Sequence, residues 1–138
     1  MKQFIEKITF KTKKSEILNI TRTIEDTVKK SEINDGLLNL SILHTSCSLL
    51  IQENADSDVL KDLQIFFNKL VPMDEKYNHS IEGIDDMPAH IKSAITNPSL
   101  SLSVLNRKIQ LGTWQGIFLF EHRTSYRERI VLAHIMGD

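Results

Sequence analysis

The chain has 138 residues, 41% hydrophobic and 25% charged, which are the values of an ordinary globular domain. Seventeen basic residues against eighteen acidic ones give a net charge of −1, which excludes the cationic footprint of a nucleic-acid or anionic-membrane binder. No apolar run approaches the roughly 20 residues that cross a bilayer, the polar stretch Met1 to Lys14 predicts no signal peptide, and the lone Cys47 forbids an internal disulfide. A cytoplasmic protein with one domain over residues 1–138 is expected.

Phe4, Ile8 and Phe10 alternate with polar residues and predict a half-buried first strand. Residues 16–20 predict a short second strand, hairpinned to the first. Thr21 is the expected N-cap of a helix with Ile20, Ile24 and Val28 on one face and Lys29-Lys30 in its last turn. Asn34-Asp35-Gly36 marks a turn. Leu37 to Ile51 then reads as one long covered strand, apolar on both faces and interrupted by His44-Thr45-Ser46. A polar triplet inside a buried strand must find partners, so it is either a satisfied network or a site. Val59, Leu63, Phe66, Phe67 and Leu70 keep helical spacing, with Asp56 or Ser57 as cap and Pro72 as stop. Residues 73–84 predict a long loop carrying Tyr77 and His79. Asp85-Asp86-Met87-Pro88 is a helix start that puts His90 in the first turn. Leu100, Leu102 and Val104 alternate with serines in a further strand, Asn106-Arg107 turns the chain, and a last strand runs over 129–136.

Between those two strands lies Gly112-Thr113-Trp114-Gln115-Gly116, followed by Ile117 to Phe120 and closed by Glu121-His122-Arg123. The apolar run predicts a strand buried on both faces, with His122 on one face and Gln115, Glu121 and Arg123 on the other. His44 interrupts one covered strand, His122 ends another, and His90 opens a helix behind two aspartates. Adjacent strands with a helix above them would bring the three imidazoles together, a donor set suited to Zn or another divalent ion. No HExxH or CxxC spacing is present. Glu53, Asp85 and Asp86 are open between metal ligation, acid–base roles and helix capping. Arg123, Lys92 and Arg107 are candidates to hold an anion, and an arginine fork matches phosphate best. His134 reads as an ordinary, partly buried residue and Cys47 as a small core residue.

Taken in order, His44-Thr45-Ser46, Glu53-Asn54-Ala55-Asp56, Pro88-Ala89-His90-Ile91-Lys92, Gly112-Thr113-Trp114-Gln115 and Glu121-His122-Arg123 resemble the YjbQ-type family, often labelled secondary thiamine-phosphate synthase. The resemblance covers essentially the whole chain. It implies an α+β domain whose mixed, largely antiparallel sheet curls into a barrel-like shape with helices packed on it. It also implies a homotrimer with sites near the subunit boundaries. The implied reaction, a weak or secondary activity, joins a hydroxymethylpyrimidine diphosphate to a thiazole phosphate. The expected cofactor is a divalent metal ion of Zn or Mg type at His44, His90 and His122, with catalytic roles for Glu53, Gln115 and Arg123 and a site role for Trp114. A departing diphosphate needs such an ion, and cationic side chains, to stabilise its charge. Two other readings stand beside it. One is a metal-dependent hydrolase of a small metabolite, with Glu53 or an aspartate as base. The other is a non-catalytic metal- or ligand-binding trimer. A small phosphorylated metabolite and the chain's own copies are the expected partners.

Overall fold

The computed structural model describes residues 1–138. Alternating residues near the two ends of the chain form its longest ladder. β1 (Lys2–Thr12) pairs antiparallel with β8 (Arg127–Gly137), in register from Lys2↔Gly137 to Thr12↔Arg127. The free edge of β8 takes β3 (Gly36–Ile42), which takes β5 (Ser99–Leu105) and then β6 (Lys108–Ile109), giving the order β1-β8-β3-β5-β6. Gly36 opens β3 because a Cβ there would stand 2.0 Å from Met136 O on β8. The second sheet is β2 (Ile17–Asn19), β7 (Gln115–Glu121) and β4 (Cys47–Glu53), with β7 in the middle. Every pairing is antiparallel, and the sheets curl into a half-barrel with three helices, an α+β fold.

The inward faces make one hydrophobic cluster that includes Leu38, Leu40, Ile117, Leu119, Val131 and Ile135. α1 (Thr21–Ser31) lays Ile24 and Val28, one turn apart, onto that cluster. Each such burial stabilises by roughly 1.5–3 kcal/mol. Thr21 is the first helical residue, and its hydroxyl works across the sheet: it accepts from Ile117 N at 2.9 Å and donates to Asn19 Oδ1 at 2.7 Å. α2 (Ser57–Leu70) is capped by Asp56, whose carboxylate accepts from Asp58 N at 2.9 Å. It has no fully buried residue; Leu63 and Phe67 are half-buried, and Ile65, Phe66 and Leu70 are exposed. α3 (Asp86–Ile95) packs on β4. No helix is long and apolar enough to cross a membrane.

Two expectations are corrected. Residues 37–51 are two strands in different sheets, and His44-Thr45-Ser46 is the corner between them. The polar triplet interrupts the run because the chain changes sheets there. The hairpin of β1 with β2 does not form either, since β2 pairs with β7 while β1 spends its whole length on β8. Ser15, at φ 40, turns the chain between the sheets, with its N–H on Arg123 O at 2.8 Å.

Candidate functional site

The burial of β7 continues past its last apolar residue: Glu121, His122 and Arg123 are 0%, 3% and 9% exposed. Buried charge is costly unless it is paired, so the partners of these three groups define the polar interior. The Glu121 carboxylate accepts from the Thr12 hydroxyl at 2.6 Å, from Arg129 Nε at 2.7 Å and Nη2 at 2.5 Å, and from Arg123 N at 3.1 Å. Arg129 Nη2 also donates to Ser46 O and Oγ. His122 points the other way. Its Nε2 lies 2.9 Å from Ser48 Oγ, and its Nδ1 is buried without a partner. Burial, then the positive charges of Lys92 and Arg129, lowers its pKa to about 3, so the ring is neutral.

Arg123 reaches from the end of β7 to the start of α3. Nε donates to Asp85 Oδ2 at 2.9 Å, Nη1 to Asp86 Oδ1 at 2.6 Å and Nη2 to Glu82 O at 3.0 Å. Burial would raise the Asp85 pKa, but hydrogen bonds from Thr124 and Arg123 outweigh it and hold the group down at about 2. Asp86 is likewise lowered. Burial opposes its ionisation, and His79, Arg123 and His90 overcome it. Its second oxygen, Oδ2, lies 2.6 Å from His79 Nε2 and 3.2 Å from His90 Nε2. The three ligand atoms of His79, Asp86 and His90 fall within 4.8 Å of one another.

These residues fit a divalent ion. His90 Nδ1 lies 2.8 Å from Thr45 O, and a carbonyl only accepts, so Nδ1 carries the proton. The Nε2 of a neutral His90 is then a bare lone pair facing an ionised carboxylate oxygen, acceptor to acceptor. Two species resolve that face: a second proton on His90, or a cation shared by the three side chains. A histidine whose far nitrogen donates to a backbone carbonyl is the usual arrangement of a metal ligand. Three protein ligands with an open position are the usual catalytic zinc set.

Of the residues expected at a site, His90 joins this cluster and Arg123 stands directly behind it. His44 borders the same cleft as His90, a space of ≈ 310 Å³ that Thr45, Ser93, Ala94 and Pro98 also line. His122 lies on the other face of β7, bonded to Ser48. Glu53 and Gln115 are cross-strand partners at the far end of the β4–β7 ladder. The ladder runs from Cys47↔Glu121 to Glu53↔Gln115, and at about 3.4 Å per residue its ends lie roughly 20 Å apart. There Glu53 Oε2 accepts from Asp56 N, Gln115 Oε1 accepts from Gly112 N, and Trp114 is 63% exposed. Within one chain this group does not meet the His79–Asp86–His90 cluster. The sequence places His79 in a loop of the kind that bears function and leaves Asp86 open between metal ligation, acid–base work and capping, without joining the two to His90. The spacing of Asp86 and His90, four residues apart on a helix, is the signal that would have paired them.

The chain matches the family model described as "UPF0047 protein YjbQ-like" over residues 6–138. It is 46% identical over 138 residues to a UPF0047 protein of Synechocystis sp., covering 99% of this chain and 94% of that relative. It is 47% identical over 106 residues to the UPF0047 protein YjbQ of Salmonella typhimurium, 77% of each. Among solved structures, a yjbq/upf0047 family protein from Clostridium acetobutylicum superposes with a TM-score of 0.88 at 32% identity, over 95% of this chain and 99% of that one.

Proposed function

The chain belongs to the YjbQ-like UPF0047 family, and from that premise we propose that it is a divalent-metal-dependent enzyme acting on a small phosphorylated metabolite, with His79, Asp86 and His90 holding the ion. The observation that carries this reading is the approach of His90 Nε2 to Asp86 Oδ2 while Thr45 O fixes the proton on Nδ1. When bound, the ion would supply Lewis-acid stabilisation of negative charge on a phosphate oxygen. The chain's own residues position it. Thr45 O sets the His90 ring, and Arg123 holds Asp86 Oδ1 so that Oδ2 faces both imidazoles.

The finer reading is the thiamine-phosphate synthase type, in which a hydroxymethylpyrimidine diphosphate loses diphosphate as it joins a thiazole phosphate. A departing diphosphate is the kind of charge such an ion stabilises. Glu53 and Gln115 would reach this cleft from a neighbouring copy, as in a homotrimer with sites at its boundaries. The free, buried Cys47 suits a cytoplasmic setting. One observation favours a second reading, hydrolysis of a small ester. The residues lining the His44–His90 cleft include no Lys or Arg to hold a diphosphate.

Metal analysis of the chain purified without added metal is the first test. About one equivalent of divalent ion is expected, and it should be lost in His90→Ala. A wild-type chain that neither carries nor takes up Zn²⁺, Mn²⁺ or Mg²⁺ would mean that His90 is simply protonated. Diphosphate release from the two synthase substrates then identifies the transferase. Phosphate release from simple esters identifies the hydrolase. Metal binding with neither activity leaves the non-catalytic binding reading.

A further inference from the structure

The ladder of β3 against β8 ends at Ile42↔Val131, with Leu43 N still donating to Ile130 O at 3.1 Å. A continuing strand would offer a carbonyl to Ile130 N in return. The chain turns into the His44-Thr45-Ser46 corner instead, and the His44 ring fills that place: Ile130 N–H donates to His44 Nε2 at 2.7 Å. A backbone amide can only donate, so Nε2 is the bare nitrogen and the proton of neutral His44 sits on Nδ1. Burial, followed by the charge of Arg129, lowers the His44 pKa, which keeps the ring neutral. Nδ1 has no protein partner and is not buried, so it is open to solvent on a residue that lines the cleft.

We propose that His44 is a fixed, neutral N–H donor rather than a ligand of the ion, with Nδ1–H directed to a phosphoryl oxygen of the substrate in the cleft it shares with His90. Both ends of the imidazole are then used. Nε2 caps the β8 backbone and locks the tautomer, and the lock presents Nδ1–H to the cleft in one orientation. A donor held this way stabilises charge as it develops without surrendering its proton. It also supplies a polar contact in a cleft whose lining has no Lys or Arg. The proposal rests on the cleft being the substrate site, whereas the tautomer of His44 stands independently of any metal.

The test is long-range ¹H–¹⁵N NMR of the chain labelled at histidine, followed by titration with Zn²⁺ and, in saturating divalent ion, with inorganic phosphate. His44 should show a protonated Nδ1 and a bare Nε2. Zn²⁺ should shift the His79 and His90 rings and leave His44 unligated. Phosphate should shift His44 Nδ1–H. His44→Ala should weaken phosphate binding by about tenfold or more. His44→Asn, whose amide NH₂ falls near the position of Nδ1, should bring it back to within about threefold of wild type. Should His44→Ala fail to fold, the wild-type spectra and His44→Asn decide the matter. A protonated Nε2, a Zn²⁺-ligated His44, or phosphate binding unaffected by His44→Ala overturns the proposal. Zn²⁺-silent His79 and His90 beside a phosphate-responsive His44 would sink the metal centre and leave the donor role standing.

Discussion

Two buried polar clusters grow from Glu121 and Arg123, two residues apart at one strand end, and they are finished differently. Around Glu121 the network closes on itself: Thr12, Arg129 and Arg123 N satisfy the carboxylate, and Ser46 takes the spare donor of Arg129. Around Arg123 the network runs outward through Asp86 to His79 and His90, and stops where the two imidazole Nε2 atoms face one carboxylate oxygen. A closed network gives a fold its specificity, whereas one left incomplete at the surface is where a ligand completes the count. Both begin with an ionised side chain at 9% exposure or less, so burial alone does not separate framework from site.

Breaking the closed cluster should have the largest effect. Glu121→Ala leaves Arg129 buried without its partner and should cost about 3–5 kcal/mol in urea unfolding. A loss below about 1 kcal/mol would show that the cluster is not the framework. The open cluster should answer differently. Arg123→Lys keeps the charge but loses the fork, so metal affinity in competition with a chelator should fall about 10–100-fold. If that change reduces stability as much as Glu121→Ala while leaving affinity unchanged, the distinction fails. His122, between the two, should show no effect at neutral pH and one that is visible only in acid. Its folded pKa of about 3 lies below the ordinary histidine value of 6.5, so as pH falls the unfolded chain takes the proton first. Stability is therefore lost from about pH 6.5 down to pH 3, at up to about 1.4 kcal/mol per pH unit for that one site. In His122→Gln, denaturation midpoints across this window should fall less steeply with acid than in wild type.

What was legible in the sequence follows from range. The helical faces of α1 and α2 and the double burial of β7 depend on neighbours a few residues apart, and they were readable. The partner of β2 was not, because nothing in residues 17–19 specifies Phe118 to Phe120 as the far side of the ladder. The corner at His44 escaped because both flanking stretches are apolar on alternating positions, and alternation records no bend. At the site, His90 and Arg123 were marked by their settings at a helix start and a strand end. His79 was not, since a loop histidine acquires meaning only when the fold brings it within 2.6 Å of Asp86.

The pairing of β1 with β8 also sets a timetable. β1 is made first, yet both its ladder on β8 and the Thr12 hydroxyl's bond to Glu121 wait for residues more than a hundred positions later. At about 5–20 residues per second of synthesis, that wait lasts roughly 5–25 s. Through that interval the even-numbered apolar side chains Phe4, Ile8 and Phe10 lie on an unpaired edge. The closed Glu121 cluster is thus a late event in the life of each molecule, and the site beside it cannot be completed before β8 has been made.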